Sequence, residues 1–255
     1  MNYRHFTFAA AIVCAPLGAW SGASPALAGE PRAVIELFTS QGCSSCPAAD
    51  KLLGEMSSDP SLLVMTMAVD YWDYLGWKDT LALHGHSKRQ RGYAEARGDR
   101  KVYTPQVVVN GVTHVLGSDK AAIENAVAQT RSNAAPLTVP VEVAIKDGTV
   151  SVTVQASAEP NRSAEVWLCP ITNKVPVTIE RGENRGNQVT YSNVVRRWVK
   201  LGDWNGKTQT YSLPVASLAG ANVPLAEIDR IAILVQGGAT GKPGLMVGAA
   251  TANLR

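Results

Sequence analysis

The hydrophobic pattern of the chain changes around residues 133–136, and this change constrains the fold more than any other feature. Before it, short apolar runs alternate with segments whose apolar residues recur at helical spacing, which is typical of a sheet covered by helices. After it, apolar and polar residues alternate over several short segments, which is typical of strands with one buried face. We therefore expect an α/β domain over residues 31–134 and an all-β sandwich over residues 137–255.

Composition and charge narrow the class of protein further. Of the 255 residues, 45% are hydrophobic and 18% are charged, which excludes wholesale disorder. The formal charge is only +3, and the sequence has no basic block or acidic tail. Nucleic acid and a membrane surface are therefore not expected as partners.

Residues 1–28 have the layout of a secretory signal peptide. Arg4 supplies a positive start, residues 6–17 are an apolar stretch too short to span a bilayer, and residues 26–28 form a small-x-small cleavage site. We expect an exported protein without membrane insertion, in which three of the four cysteines remain. Three cysteines are too few for a disulfide-dense scaffold.

Two of these cysteines, Cys43 and Cys46, stand between a predicted strand over 33–38 and a predicted helix over 47–57. Free N–H groups and the helix dipole stabilise a thiolate at a helix N-terminus, so we expect Cys43 to be the attacking sulfur. Cys46, one turn along, would resolve the mixed disulfide in thiol–disulfide exchange. The same spacing also fits a structural disulfide or an inert reduced pair.

The order of the remaining elements predicts how each half is built. The first half continues with a strand over 62–69, a helix opened by a capping box at 87–90, a hairpin at Asn110-Gly111 and a helix over 118–130. We expect two parallel βαβ-type steps followed by an antiparallel hairpin and a covering helix. In the second half, a turn at Asp147-Gly148 would pair 145 with 150, 143 with 152 and 141 with 154. Further strands are predicted over 165–171, 175–180, 188–200, 208–213, 228–236 and 245–252.

Thr104, Pro105 and two tryptophans are the candidates for substrate contacts. An X-Pro bond entering the third strand can be cis, and it would then expose the backbone of Thr104 opposite the reactive sulfur. Trp72 and Trp77 belong to an aromatic loop that follows a core strand, where they would line a peptide-binding groove beside Cys43. Packing that anchors this long loop is the alternative interpretation.

Several of these motifs together resemble a known family. They are 35–50 (IELFTSQGCSSCPAAD), 69–78 (VDYWDYLGWK), 102–111 (VYTPQVVVNG), 191–196 (YSNVVR) and 201–206 (LGDWNG). The motifs resemble thioredoxin-fold proteins and, more closely, a bacterial family of exported thioredoxin-like proteins catalogued as a domain of unknown function. This resemblance implies an α/β thioredoxin-like N-terminal domain before the all-β sandwich C-terminal domain. It also implies a redox dithiol at Cys43 and Cys46 and a cis bond at Pro105.

The resemblance makes Glu36 a possible proton acceptor, because a buried acid in the first core strand has that role in thioredoxins. Glu36 stands seven residues before Cys43 rather than six. Either the loop is one residue longer or the carboxylate points elsewhere, since a slip of one residue reverses the facing of a strand. The sequence also departs from thioredoxin itself by having Gly42 before the first cysteine and Ser44-Ser45 between the pair.

We therefore expect an exported thiol–disulfide oxidoreductase that acts on a protein or small-molecule thiol or disulfide and needs no cofactor. One alternative is a Cu(I)-handling protein that uses the same thiolates, a possibility raised by His84 and His86, although we assign no metal site. The other is a non-enzymatic binding module with a structural disulfide. Cys169, in an apolar strand, is expected to be a buried free thiol.

Overall fold

The computed structural model describes residue 1 and residues 31–159, 162–239 and 241–255. The signal peptide predicted over 1–28 lies, apart from its first residue, outside this part of the chain. The α-helices are α1 (Pro47–Met56), α2 (His84–Arg97) and α3 (Lys120–Ala134). The strands are β1 (Ala33–Thr39), β2 (Leu62–Ala68), β3 (Gln106–Val109), β4 (Thr113–Leu116), β5 (Val141–Lys146), β6 (Thr149–Val154), β7 (Ala164–Thr178), β8 (Gln188–Val195), β9 (Val199–Trp204), β10 (Gln209–Pro214), β11 (Arg230–Ala239) and β12 (Lys242–Asn253). No helix in the described ranges is long and apolar enough to cross a membrane.

The strands form two sheets of unequal size. The large sheet has nine strands in the order β12-β11-β7-β8-β2-β1-β3-β4, with β9 paired to β7. The small sheet has the order β10-β6-β5. It shares an apolar core with the second half of the large sheet, in which Val150 and Val152 lie with Trp204, Ile231 and Ile233.

The expected α/β thioredoxin-like domain followed by an all-β sandwich is wrong as a fold class. β2, from the first half, is the parallel neighbour of β8, from the second half, so one large mixed sheet runs through both halves. The two strands share the single ladder pair Thr66–Val194. Side chains complete the join, because Thr66 Oγ1 donates to Ser192 O (2.6 Å) and Asn193 Nδ2 donates to Val64 O (3.0 Å).

The hydrophobic core also extends across both halves. On the face of the large sheet that α2 covers, Phe38, Met65 and Tyr93 lie in one buried cluster with Leu234 and Met246. On the opposite face, α1 and α3 pack against β1 and β3. The boundary at residues 134–137, as a limit between independently folding units, stays a prediction.

Several local predictions can be compared with the strands directly. The hairpin register is confirmed, because Ile145 lies opposite Val150 in β5 and β6 and the pairs 143–152 and 141–154 follow. β1 and β2 are parallel as predicted, whereas β3 is antiparallel to β1, so the second parallel step is wrong.

The boundaries of some elements also differ from those predicted. α2 begins at His84, three residues before the predicted capping box, and the Ser87 hydroxyl donates to Asp70 instead. The strands predicted over 165–171 and 175–180 are parts of β7, and the region 188–200 is divided between β8 and β9.

Candidate functional site

Cys43 and Cys46 form a disulfide in the turn that leads from β1 into α1. Cys46 caps the helix, and Pro47 begins it, where a proline has no helical N–H bond to lose. Cys43 therefore lies about one turn before the helix, in the junction between β1 and α1. Cys43 is 3% exposed and Cys46 is fully buried, while Ser44 and Ser45 between them are exposed.

Side chains from both halves of the chain hold this turn in place. Asn184, in the segment between β7 and β8, is buried and donates from its Nδ2 to Gln41 O (2.9 Å) and to Cys43 O (2.8 Å). The Gln41 backbone N–H donates to Asp79 Oδ2 (2.7 Å), and the Trp77 indole N–H donates to Gln41 Oε1 (2.8 Å). The cysteine turn is thus fixed from three directions by side chains far from it in sequence.

Trp72 connects the cysteine turn with the loop that carries Pro105. Its indole N–H donates to Thr104 Oγ1 (2.8 Å), and the Thr104–Pro105 bond is cis, as the family resemblance implies. Trp72 also lies against Gly42, where a Cβ would stand 3.2 Å from the Trp72 Cβ, so glycine allows the close approach. The structure therefore places Trp72 next to the cysteine turn and Thr104 next to Trp72, while Trp77 contacts this turn through Gln41.

Two buried acids accompany the cysteine turn, and the sequence reasoning missed both. Asp50 follows Cys46 by one turn of α1, and its backbone N–H donates to Cys46 O (3.1 Å). Burial raises the pKa of Asp50 to about 8 and that of Asp79 to about 6. The Thr39 hydroxyl is close enough to the Asp50 carboxyl to lower its pKa against the larger effect of burial, but neither Asp50 oxygen nor this hydroxyl has a partner within hydrogen-bond distance among the described residues.

Glu36 lies on the other face of the large sheet, toward α2. Its carboxylate accepts from Arg89 Nε (2.7 Å) and from the Tyr93 hydroxyl, and it is fully buried. Arg89 Nη2 donates in turn to Tyr93 OH and to Gln236 Oε1, both at 2.7 Å. The structure thus joins Glu36 to a buried polar cluster, not to the cysteine turn.

The remaining candidates lie apart from one another. His84 is exposed and its Nδ1 is 2.8 Å from Asp70 Oδ2, whereas His86 is buried with its Nδ1 2.9 Å from Ala68 O. Burial lowers the pKa of His86 to about 4. The described residues contain no group of three or more His, Cys, Asp or Glu side chains arranged to hold a metal ion. Cys169 is a buried free thiol, as predicted, and burial raises its pKa far above the ordinary value.

Of the residues that the sequence did not predict, Asp50 has a weak local signal and Asn184 has none. Asp50 stands four residues after Cys46, a spacing that puts both on one face of a helix and could have marked it. Asn184 lies in a polar, glycine-rich stretch that reads as an ordinary loop. Its role depends on the fold of the whole chain, so no local pattern could have identified it.

A family model and two solved structures each match most of the chain. The family described as Protein of unknown function (DUF1223) matches residues 34–236. A crystal structure of a protein from Agrobacterium tumefaciens has 33% sequence identity and a TM-score of 0.75, and the match covers 88% of this chain and 94% of that one. HBP35 of Porphyromonas gingivalis shares the fold, with a TM-score of 0.56 and 11% identity over 91% of this chain and 77% of that one. No curated protein matches the chain significantly. The chain belongs to the DUF1223 family of proteins of unknown function.

Proposed function

We propose that this protein is an exported thiol–disulfide oxidoreductase whose working groups are Cys43 and Cys46. The observation that carries the proposal is a disulfide closed over an exposed two-serine turn at the start of a helix, with an unpaired buried carboxyl one helical turn behind it. A merely structural clip has no need of that carboxyl. Export is proposed from the sequence of residues 1–28 alone.

Exposure assigns the roles of the two cysteines. Cys43 retains some contact with solvent and Cys46 has none, so a substrate sulfur can approach only Cys43. Pro47 has no N–H, and the Ala49 and Asp50 N–H groups donate to Cys46 O, so the dipole of α1 is the main feature of the helix that favours a thiolate in the turn before it. The Ser45 hydroxyl, 3.4 Å from Cys43 Sγ, provides a further polar contact.

The exchange reaction balances with these two sulfurs. In the reduced protein, the Cys43 thiolate attacks a substrate disulfide, forms a mixed disulfide and releases one substrate sulfur as a thiolate. Cys46 then loses its proton and attacks Cys43 Sγ, so the internal disulfide forms and the second substrate thiolate leaves. Two electrons pass from the protein to the substrate, and the reverse sequence oxidises a substrate dithiol.

Asp50 is the proposed proton-exchange partner of Cys46. With a pKa of about 8 it is mostly protonated at neutral pH, so only its ionised fraction accepts the Cys46 proton, while the protonated form can return a proton to Cys46 in the reverse reaction. Glu36 is held by Arg89 on the other face of the sheet and does not enter this proposal. Trp72 lies beside the turn and is hydrogen-bonded to Thr104, and both would position the substrate, while Trp77 acts on the turn by holding Gln41.

Trapping with a defined disulfide tests the proposal. The reduced Cys46→Ser protein, in a Cys169→Ala background, is mixed with glutathione disulfide and analysed by mass spectrometry. We expect one stable glutathione adduct, located on Cys43, and rapid loss of the adduct when Cys46 is present. The Cys43→Ser protein is the matched control and should react far more slowly. An adduct rate no faster than that of an unfolded peptide with the same sequence would contradict the proposal.

The rate of Cys43 alkylation in the Cys46→Ser variant, measured against pH, distinguishes a catalytic thiol from a purely structural disulfide. Alkylation of Cys43 in the Cys46→Ser protein should follow a pKa clearly below the ordinary value of about 8.5. An ordinary or raised pKa would favour a structural disulfide. Copper handling by the same sulfurs stays a prediction, and titration of the reduced protein with Cu(I) is the measurement that checks it.

A further inference from the structure

A cleft on the α2 face of the large sheet lies away from the cysteine turn. It has a volume of about 620 Å³ and is formed by one side of α2, by β7 and the start of β9, and by the hairpin that joins β11 to β12. Pockets for small organic ligands are about 300–1,000 Å³, so the size fits a molecule of that class. Because α1 covers the opposite face, this cleft is a separate site from Cys43 and Cys46.

The cleft is lined by two tryptophans and a nearly buried arginine. The rings of Trp167 and Trp198 meet edge to face with their centroids 5.9 Å apart. The Arg89 guanidinium stands 4.1 Å from the Trp198 ring centroid, a cation–π distance. These groups offer a flat apolar surface beside a fixed positive charge.

Arg89 has hydrogen-bonding capacity left over. Its side chain is only 10% exposed, with Nε donating to Glu36 and Nη2 donating to Tyr93 and Gln236. Nη1 makes no hydrogen bond within the described part of the chain, although the residue lines the cleft. A guanidinium with one free nitrogen in a confined, partly apolar site is suited to a carboxylate or sulfonate oxygen.

The charges at the rim favour the same kind of ligand. Lys88 and Arg91 are exposed on α2 at the cleft, and neither is in an ion pair among the described residues. Glu165 on the strand side is paired with Lys200 (2.7 Å), which is also paired with Asp203 (2.7 Å). Glu95 adds one unpaired negative charge, so the unpaired side chains at the rim still have an excess of positive charge.

We infer that this cleft binds an organic anion in which a carboxylate or sulfonate is joined to a flat apolar body. The anionic group would accept a hydrogen bond from Arg89 Nη1, and the apolar body would lie against Trp167 and Trp198. Lys88 and Arg91 would attract the anion from solvent. The inference does not depend on the proposed redox function, because none of these residues contacts the cysteine turn.

A pair of fluorescent probes that differ in charge tests the inference. Anilinonaphthalenesulfonate carries the anion and phenylnaphthylamine lacks it. We expect one saturable site per chain for the anionic probe and binding about tenfold or more weaker for the neutral one, the size of one charged hydrogen bond. Equal affinity for the two probes would overturn the assignment of an anion.

Variants of Gly85 locate the site. Gly85 lines the cleft in the first turn of α2, and a Cβ built there meets nothing within 4 Å. Gly85→Phe should fill the cleft without disturbing the interior and abolish saturable binding. Gly85→Ala, which leaves the cleft open, should bind the anionic probe like the wild type. Unchanged binding by Gly85→Phe would place the probe elsewhere and overturn the inference.

Arg89→Lys separates the hydrogen bond from the charge. Lysine keeps a cation near Glu36 but cannot supply the Nη1 donor, so the anionic probe should bind about tenfold more weakly while the neutral probe is unaffected. If this variant does not fold, the double variant Lys88→Ala, Arg91→Ala on the exposed rim replaces it and should weaken the anionic probe selectively, more so at low salt. Equal effects on both probes, or none, would contradict the proposed binding mode.

Discussion

Two acids are buried on opposite sides of the large sheet, one paired with a cation and the other without a counter-charge. Glu36 faces α2 and is matched by the Arg89 guanidinium, with the Tyr93 hydroxyl donating to its second oxygen. Asp50 is on α1 and has no partner for either oxygen in the described part of the chain. A buried carboxylate is costly unless it is paired, so the first acid is suited to holding the fold together. The second is kept neutral by burial up to a pKa of about 8 and can still exchange a proton near neutral pH.

The largest change in stability should come from breaking the ion pair between Glu36 and Arg89. Glu36→Gln leaves the Arg89 guanidinium in the interior without its counter-charge, and we expect the free energy of unfolding to fall by about 3–5 kcal/mol. Urea denaturation followed by circular dichroism measures this change. Glu124→Gln is the matched control, because its contact with Lys120 is long (3.9 Å) and both side chains are exposed, so its midpoint should not move beyond error. If Glu36→Gln and Glu124→Gln have the same denaturation midpoint, the buried Glu36–Arg89 pair does not stabilise the fold as we expect.

Asp50, the buried acid without a hydrogen-bond partner, should make the free energy of unfolding depend on pH. Because the pKa of Asp50 is raised from 3.8 to about 8, the folded state holds a proton that the unfolded state has lost between these values. The free energy of unfolding should therefore fall as pH rises through this range, by about 2 kcal/mol between pH 6 and pH 8 from this group. Asp50→Asn, which stays neutral, should flatten the dependence in urea titrations at the two pH values. Glu55→Gln, an exposed acid on the same helix, should keep the wild-type slope. A steeper slope in Asp50→Asn would contradict the assignment.

A smaller effect is expected from the contact that holds the cysteine turn. Asn184→Ala removes the side-chain donor to the Gln41 and Cys43 carbonyls, of which Cys43 O keeps its bond from the Cys46 N–H, and should lower the free energy of unfolding by about 1–2 kcal/mol. The loosened turn should also let dithiothreitol reduce the Cys43–Cys46 disulfide faster. Asn187→Ala serves as the comparison, since its amide makes only a 3.5 Å contact with Asn184. A reduction rate equal to that of the wild type would show that the clamp does not protect the disulfide.

The parts of the fold that could be predicted are those with a local cause. The Asp147-Gly148 turn and the alternating residues around it agree on one register, and the structure has that register. Likewise, the Asn110-Gly111 turn has both residues at positive φ, as a tight hairpin requires. The position of Cys43 and Cys46 at the junction of β1 and α1 also followed from the local pattern, although the spacing alone left a reduced pair open and the structure has the disulfide.

The union of the two halves had no such local signal. β2 and β8 share one ladder pair, and their join depends on the Thr66 and Asn193 side chains, which look unremarkable in sequence. β7 continues through a polar stretch at 172–174 that indicated a break, because β8 pairs with it there, with Thr172 opposite Val194 and Lys174 opposite Ser192. The choice between Glu36 and Asp50 likewise required tertiary structure, since which face of β1 meets Arg89 is decided by the packing of α2.

The narrow join between β2 and β8 has a consequence for any attempt to dissect the chain. A fragment that ends after α3 would turn β2 from an interior strand into a bare edge, with its apolar residues and free backbone groups available to another chain. The same fragment would lose Asn184 and with it two hydrogen bonds to the cysteine turn. Self-association and a more reducible disulfide should therefore appear together in such a fragment, because the second half of the chain both covers the edge of β2 and holds the cysteine turn.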